Sequence, residues 1–160
     1  FSTAATLPQR PRFQPPSTHM QASQSKQVAD RSPADVAKLF KSLSDPTRLR
    51  ILVLLLQTEA EICVCEFVDS LQERQYNVSK HIRVLENAGA VVGLKEGRFT
   101  YYRLAESVTA RDSVGLWEYI VSQLHDSGVC QEDIKRFNAR LTLREDGRCR
   151  VGVQTASLAA

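Results

Sequence analysis

The sequence lacks the long apolar run from which a membrane-spanning helix is built. Such a helix needs roughly 20 consecutive, mostly apolar residues, and the longest run here, residues 51–56, is suited only to a short core helix. The N-terminus also lacks the charged start and apolar stretch of a secretory signal. We therefore expect a cytoplasmic protein with no membrane partner.

The sequence also lacks the signatures of common catalytic sites. It has only 7 glycines and 3 histidines, no phosphate-binding glycine loop, and no His or Asn constellation that would activate a cysteine nucleophile. An enzyme that uses Cys63 or Cys65 as its nucleophile therefore has no support. We expect that the chain is not an enzyme.

Cysteine is scarce, with 4 residues among 160. In a chain without an export signal these thiols are expected to be reduced. Cys63 and Cys65 are too close in sequence to bridge comfortably, whereas Cys130 and Cys149 lie far along the chain. The pattern is therefore no disulfide framework, and the closely spaced pair suggests a site for a soft ion or an oxidant.

Composition divides the chain into three parts. Residues 1–32 are rich in Pro, Gln, Ser and Thr and are expected to form a disordered N-terminal arm. Residues 1–19, which precede the only methionine, are interpreted as tag-derived, with a genuine flexible arm as the alternative. Residues 33–127 are expected to form one folded domain, and residues 128–160 a C-terminal tail with a short helix at 131–141.

Helical periodicity fills most of the folded domain. Ser32-Pro33 is an N-cap followed by proline at the first helical position, and Ala88-Gly89 is typical of a C-terminal glycine cap. Residues 91–104 change to two β-prone runs around a polar connector with a glycine, which predicts a hairpin. Helices are predicted at 33–43, from 46 onward, at 63–71, 77–87 and 110–125, with a turn at 72–76.

A helix, a tight turn, a second helix and a β-hairpin together predict a winged helix-turn-helix fold that is mainly α with a small β-hairpin. Val78, Ile82 and Leu85 form the buried stripe of the second helix, which leaves a polar face that can reach base edges and phosphates. A net charge of +3 is compatible with a nucleic-acid partner. The alternative is a merely solvated helix face. The residues predicted to contact DNA are Gln75, Tyr76, Asn77, Ser79, Lys80, His81 and Arg83 on the helix and Lys95 and Arg98 on the hairpin.

Four segments resemble the ArsR/SmtB family of metal-responsive repressors. Residues 43–52 (LSDPTRLRIL) resemble the family signature, and residues 61–67 (EICVCEF) resemble its ELCVCDL metal-binding box. Residues 78–89 are similar to its recognition helix and residues 97–104 to its wing. The likeness extends over about residues 33–125, with the motifs in the family's order.

The resemblance implies a homodimer that reads a palindromic double-stranded operator through successive major grooves. The helices at 33–43 and 110–125 are the expected dimer surface. The alternative is that the apolar stripe of the second of these helices is simply intramolecular core. That stripe consists of Val114, Trp117, Ile120, Val121 and Leu124.

The CVC sequence implies a thiolate-sensing branch of the family, which responds to arsenite, antimonite, cadmium or lead. Cadmium and lead sensors of this type add cysteines from an N-terminal arm, and the arm here has none. Zinc sensors use His and carboxylate ligands on the last helix, whereas here Asp112 is followed two residues later by Val114 and His125 stands alone. The resemblance therefore points to As(III) or Sb(III) as the inducer that releases the repressor from its operator.

The third thiolate is not obvious from the resemblance. Related arsenite repressors carry a third cysteine at the position that is Val68 here. Cys149 is preferred in its place, because adjacent arginines favour the thiolate and a flexible tail could bring it to the pair, in the same or the partner subunit. Cys130 is the weaker candidate, and an inert tail thiol is the alternative for Cys149. The expected metal ligands are Cys63, Cys65 and Cys149.

The spacing of the cysteine pair also predicts a mechanism. Residues i and i+2 of an α-helix point about 200° apart, whereas in an extended segment they share a face. We therefore predict that ion binding unwinds or distorts the start of the third helix, which begins at residue 63 or within the segment 63–71. Rival functions on the same fold are a thiol redox or persulfide-responsive repressor, a cadmium or lead sensor, and a winged helix used only for protein interaction.

Overall fold

The computed structural model describes residues 32–58, 60–109 and 114–154. Helices dominate this part of the chain, and short antiparallel strands form one three-stranded and one two-stranded sheet. The helices are α1 (Pro33–Leu43), α2 (Pro46–Thr58), α3 (Val64–Leu71), α4 (Gln75–Asn87), α5 (Glu106–Thr109), α6 (Val114–Leu124) and α7 (Gly128–Leu141). The strands are β1 (Ile62–Cys63), β2 (Val91–Glu96), β3 (Phe99–Leu104), β4 (Arg144–Glu145) and β5 (Arg148–Cys149).

The first two helices begin where their capping residues predict. The Ser32 hydroxyl accepts a hydrogen bond from the backbone N–H of Asp35, and the Asp35 carboxylate accepts one from the backbone N–H of Ser32, both at 3.2 Å. Asp45 caps α2, because its carboxylate accepts a 3.0 Å hydrogen bond from the backbone N–H of Arg48. The predicted break between α1 and α2 is thus confirmed.

The centre of the core is α2. Its Ile51, Leu52 and Leu55 are almost completely buried, and the same cluster contains Phe67 of α3 and Phe137 of α7. Each large apolar side chain removed from water in this way contributes about 1.5–3 kcal/mol to folding. Helices from both halves of the sequence are therefore held by one core.

The helix-turn-helix consists of α3, residues 72–74 and α4. Gln72 ends α3 in the left-handed conformation, at a φ of 53°. The fourth helix begins at Gln75, so Gln75 and Tyr76 belong to the helix and not to the predicted turn. Gly89 has a φ of 70° and its N–H donates to the carbonyl of Glu86, which confirms the predicted glycine stop.

The predicted hairpin is also confirmed. Strands β2 and β3 pair antiparallel from Val91↔Leu104 to Glu96↔Phe99, with Gly97 at a φ of 58° in the turn. Strand β1 pairs with the other side of β3, so the sheet order is β1-β3-β2. Together with α3 and α4 this sheet gives the predicted winged helix-turn-helix fold.

The region predicted as a C-terminal tail is packed structure over its described residues 128–154. Helix α7 starts at Gly128 and packs against α2 and α3, and the β4–β5 hairpin follows it. The buried positions of α7 are Cys130, Asp133, Phe137 and Arg140. The helix predicted at 131–141 is thus present, with three more residues at its start. Two of its buried positions are charged, which interrupts the apolar periodicity and explains why its packing against the core was not predicted.

Some sequence predictions lie outside the described residues. This holds for the N-terminal arm except Ser32, and for the start of the helix predicted at 110–125, which is described from Val114 onward. Among the described residues, no helix is both long enough and apolar enough to span a membrane.

Candidate functional site

Three cysteines from three separate elements meet at one point. Cys63 ends β1, Cys65 lies in the first turn of α3, and Cys149 ends β5. The Sγ atoms of Cys63 and Cys65 are 2.8 Å apart, those of Cys65 and Cys149 are 3.4 Å apart, and all three lie within 4.8 Å of one another. Cys63 and Cys149 are buried and Cys65 is half-buried. Three convergent thiols of this kind can hold a soft metal or metalloid ion.

The premise of the predicted unwinding, that both cysteines lie in the helix, is wrong, because Cys63 precedes α3. Cys63 has an extended backbone (φ −85°, ψ 162°) and is the N-cap of α3. Its neighbour in the sheet is Tyr101 of β3, and its backbone N–H donates to the Glu66 carboxylate at 2.9 Å. Since one cysteine precedes the helix and the other lies in its first turn, the two thiols converge without any loss of helix.

The third cysteine is delivered by a tight hairpin and not by a flexible tail. Arg144 pairs with Cys149 across the two short strands, and the turn residues Asp146 and Gly147 both have positive φ, at 51° and 72°. The backbone N–H of Cys149 donates to the Tyr101 hydroxyl at 2.8 Å. The Asp-Gly pair is the sequence signal that could have predicted this hairpin.

Buried ion pairs frame the three thiols. Arg144 donates from Nε and Nη2 to the two carboxylate oxygens of Glu66, at 2.7 and 2.9 Å. Arg140 donates from Nε to Asp69 at 2.7 Å, and its Nη2 lies 3.4 Å from the Cys149 Sγ. The side chains of Glu66, Asp69 and Arg140 have no solvent exposure. None of these residues was predicted, and only Glu66, as the third residue of a capped helix, has a local sequence signal.

The thiols differ in acidity. The pKa of Cys65 is lowered to about 6, chiefly because its sulfur accepts a hydrogen bond from the Cys63 thiol, with help from Cys149 and the charge of Arg140. That same hydrogen bond and burial raise the pKa of Cys63, and burial raises the pKa of Cys149. At neutral pH the cluster therefore holds one thiolate and two thiols, which must lose their protons when an ion binds.

Cys130, the weaker candidate for a third ligand, is not brought to this point. It is buried on α7, where burial raises the pKa of its thiol. Among the described residues, the group of side chains close enough to hold an ion contains the other three cysteines and not Cys130.

The outer face of α4 carries most of the residues predicted to contact DNA. The predicted stripe of Val78, Ile82 and Leu85 is buried, which turns the opposite face outward. Tyr76 is 77 % exposed, and Asn77 is half-buried. The other fully exposed members of the predicted set on this helix are Gln75, Ser79, Lys80 and Arg83.

Three predicted DNA contacts have contrasting surroundings. His81 is half-buried, with its Nδ1 3.4 Å from an Asp45 carboxylate oxygen. Lys95 is exposed on β2. Arg98, after the hairpin turn, donates from Nη2 to the backbone carbonyl of Arg150 at 2.7 Å, so it contacts the C-terminal hairpin.

The helices predicted to form a dimer surface expose several apolar side chains. Phe40 of α1 is 55 % exposed, Val36 is 38 % exposed, and Tyr119 of α6 is 63 % exposed. Trp117, in contrast, is buried within the chain's own core. In the predicted stripe on α6, Trp117 belongs to the core and Ile120 packs partly against it, whereas the exposed Tyr119 lies outside that stripe.

Comparison with known proteins decides the family. The family described as bacterial regulatory protein, arsR family, matches residues 45–91. An uncharacterized HTH-type transcriptional regulator of Methanocaldococcus jannaschii, MJ1325, is 40 % identical over 70 residues, which are 44 % of this chain and 78 % of the relative. The chain belongs to the ArsR family.

Two relatives in this family are named for resistance to toxic elements. A homolog of the cadmium resistance transcriptional regulatory protein CadC from Staphylococcus aureus is 42 % identical over 79 residues, 49 % of this chain and 64 % of the relative. The arsenical resistance operon repressor of Escherichia coli K12 is 40 % identical over 73 residues, 46 % of this chain and 62 % of the relative. The match therefore spans slightly less than two thirds of each, and all of these relatives are regulators of transcription and not enzymes.

Among solved structures, HlyU from Vibrio cholerae matches with a TM-score of 0.50 and 26 % identity, over 58 % of this chain and 95 % of that chain. The arsR-family match at residues 45–91 contains Cys63 and Cys65 but not Cys149. The third thiol and its hairpin thus lie beyond the part of the chain that this family match covers.

Proposed function

We propose that this protein is a transcriptional repressor that binds operator DNA as a homodimer and leaves it when As(III) or Sb(III) binds to Cys63, Cys65 and Cys149. The observation that carries the proposal is the convergence of three largely buried thiols within 4.8 Å, at the start of a helix that leads through a short turn into α4. Thiolates are the ligands that soft ions prefer, and trivalent arsenic is satisfied by three of them.

Charge balance favours a trivalent ion over cadmium or lead. The charged side chains closest to the thiols already compensate one another, as Arg144 with Glu66 and Arg140 with Asp69. Three thiolates around a trivalent ion make a neutral complex, whereas a divalent ion leaves one negative charge in a mostly buried site. An uncompensated buried charge is costly, so arsenite or antimonite is the better inducer.

The DNA-binding part of the proposal rests on the exposed face of α4. Lys80 and Arg83 are exposed there, on a helix whose opposite side is buried, and such a helix can enter a major groove. A two-fold dimer through α1 and α6, where Phe40 and Tyr119 are exposed, would present two such helices to successive grooves. Ion binding would then shift the population toward a dimer that fits DNA less well.

A thiol redox or persulfide switch is the second candidate, and it is favoured by one specific distance. The Sγ atoms of Cys65 and Cys149 are only 3.4 Å apart, and the pKa of Cys65 is lowered to about 6. Hydrogen peroxide could oxidise these two thiols to a disulfide, taking up their two protons and two electrons and being reduced to two molecules of water. This reaction needs no metal ion.

A gel shift with the promoter of the protein's own gene tests these functions against each other. The reduced full chain is titrated onto the duplex alone, with sodium arsenite, with cadmium chloride and with hydrogen peroxide. We expect arsenite to weaken binding at concentrations at which cadmium and peroxide do not. If arsenite leaves operator affinity unchanged, the proposal is wrong, and release by peroxide alone would establish the redox switch.

Cys130→Ser is the matched control for this experiment. Cys130 is a buried cysteine outside the three-thiol cluster, so the variant should respond to arsenite like the original chain. Cys65→Ser should not respond. Equal responses from the two variants would contradict the proposed ligand set.

A further inference from the structure

The β4–β5 hairpin that carries Cys149 also contacts the wing, defined here as strands β2 and β3 and their turn. Arg98 of the wing donates to the carbonyl of Arg150 at 2.7 Å. Arg148 donates to the Glu96 carboxylate at 2.9 Å, and its guanidinium lies 4.7 Å from the centroid of the Tyr101 ring. The hairpin therefore connects the thiol cluster directly with the turn region of the wing.

Arg148 joins the two regions through two carboxylates. Its Nη1 lies 2.8 Å from Glu61, the residue before β1, and its Nη2 lies 2.9 Å from Glu96, the last residue of β2. The two carboxylate side chains have nearly equal exposure, 32 % and 34 %. One guanidinium thus spans from the side of the cysteine pair to the wing, where it contacts Glu96 of β2 and the Tyr101 ring of β3. Of its two carboxylate partners, only Glu96 belongs to the wing.

An ion can bind to both Cys63 and Cys65 only if their sulfurs move apart. Thiolate bonds to zinc are about 2.3 Å long, and two sulfurs that remained 2.8 Å apart would subtend only about 75° at an ion with bonds of that length. Angles near 100° or more require these sulfurs to separate. Cys63 is held by the β1–β3 ladder, so we expect Cys65 to move. Cys149 lies 3.4 Å from Cys65 and has to follow it to bind the same ion, which would shift the hairpin that carries Cys149.

We propose that Glu96 and Arg148 are positioning residues that transmit this adjustment from the thiol cluster to the wing, so that inducer binding moves the wing away from its DNA-binding position. The inference rests on the proposed function and adds a route for the signal. A shift of the hairpin pulls on Glu96 through Arg148 and on Arg98 through the Arg150 carbonyl. Both wing residues flank the turn at Gly97, next to the predicted phosphate contact Lys95.

The quantity that reports this role is the ratio of operator dissociation constants with and without arsenite. A residue that only supports the fold, or only contacts DNA, changes both constants and leaves their ratio intact. A residue that transmits the signal changes the ratio itself. Couplings between two sites are typically about 5- to 150-fold, which a binding titration resolves.

The structure offers a matched pair of variants for this measurement. Glu96→Gln and Glu61→Gln each remove one carboxylate from the same guanidinium, at nearly the same distance and exposure. Operator binding of the full chain is measured by fluorescence anisotropy, with and without saturating sodium arsenite. The number of thiols that arsenite protects from alkylation is counted for each variant by mass spectrometry.

We expect Glu96→Gln to reduce the arsenite-dependent ratio at least about threefold, with three thiols still protected, and Glu61→Gln to retain the ratio of the original chain. Arg148→Lys, which cannot hold both carboxylates in the same geometry, should resemble Glu96→Gln. Equal ratios in the two glutamine variants, or no change in either, would overturn the inference while the proposed function stands. An original chain that binds arsenite without any change in operator affinity would refute the proposed function itself, and the route with it.

Discussion

Basic side chains have different roles in two regions of the folded chain: α4 with the wing, and α7 with the β4–β5 hairpin. On α4 and the wing, Lys80, Arg83 and Lys95 are exposed and make no ion pair with any carboxylate of the described residues. On α7 and the β4–β5 hairpin, Arg140 and Arg144 are largely or wholly buried and each is bonded to a carboxylate of α3. An unpaired cation leaves its charge for a polyanion such as DNA, whereas a paired one fixes the geometry of the elements it joins.

Arg98 lies between these two groups. It is exposed on the wing like the unpaired residues, yet it donates a hydrogen bond to the C-terminal hairpin. The comparison teaches that residue type and chain position do not identify a DNA contact by themselves. The partner that each guanidinium already has within the protein must be known as well.

The largest expected effect comes from removing one partner of the buried Arg140–Asp69 ion pair. Asp69→Ala leaves Arg140 buried without its carboxylate, and such a loss costs about 3–5 kcal/mol of folding free energy. Urea denaturation monitored by circular dichroism measures this change. Lys95→Ala removes a basic residue that has no ion pair among the described residues, so its free energy of unfolding should stay within about 0.5 kcal/mol of that of the original chain. Similar losses in the two variants would contradict the distinction between paired and unpaired basic residues.

The second prediction concerns the pKa of Cys65, which the charge of the paired Arg140 helps to lower. Because the pKa of Cys65 is about 6 and its ordinary value is near 9, its thiolate fraction at pH 7 should be about 100-fold above that of a free cysteine. Alkylation by iodoacetamide, followed by mass spectrometry across pH, should show a Cys65 midpoint near pH 6. Cys63 and Cys149 should react only at much higher pH.

The same shift links the fold to pH. The lowered pKa means that the Cys65 thiolate contributes stability above about pH 9, and that this contribution is lost as the pH falls toward about 6. Cys63→Ala removes the donor to Cys65 and should therefore raise the pH midpoint of Cys65, whereas Cys63→Ser keeps a donor at this position. A Cys65 midpoint that stays near 6 in Cys63→Ala would contradict the assigned cause.

The third prediction separates the two C-terminal cysteines. Cys149→Ser should weaken arsenite binding by at least about tenfold, since even changes in the groups that only support a ligand cost about 10- to 100-fold. Cys130→Ser should leave arsenite affinity unchanged. The measurement is an arsenite titration that follows thiol protection, and equal affinities for both variants would remove Cys149 from the proposed ligand set.

The smallest effect is expected for an unpaired basic residue of the wing. Lys95→Ala should lower operator affinity a few-fold and reduce the slope of log K against log salt by about 0.9, the value for one lost phosphate contact. Arg150→Ala is the control, because Arg150 is exposed on the hairpin but lies within 4 Å of Glu145 and Asp146. An identical slope change in both variants would show that pairing within the protein does not distinguish the two groups.

The parts of the fold that were predicted from the sequence are those with local signals. The serine before α1, the proline at its first position, the glycine after α4 and the glycine in the wing turn each impose a backbone conformation within a few residues, and all are found where expected. The helix predicted at 131–141 is present as α7, but its packing against the core was not predicted, because Asp133 and Arg140 occupy buried positions. A search for apolar residues at helical spacing does not identify a charged residue as buried when its ion-pair partner is distant in sequence.

The three cysteines predicted as ligands lie together in the structure, but part of the reason given for choosing Cys149 is wrong. Arginines adjacent to Cys149 were expected to favour its thiolate, yet Arg148 is bonded to Glu61 and Glu96 and Arg150 lies near Glu145 and Asp146. The guanidinium beside the Cys149 sulfur belongs to Arg140, from α7. Only the tertiary fold brings that helix to the thiols, so no spacing in the sequence could indicate it.

Cys65 and Cys149 are 84 residues apart in the chain. An ion bound by both would act as a removable cross-link between these distant points. Closing a loop of this length lowers the entropy of the unfolded chain by an amount worth about 4–5 kcal/mol when the link is permanent. Under the proposed function, the form released from the operator would then be the one that is harder to unfold.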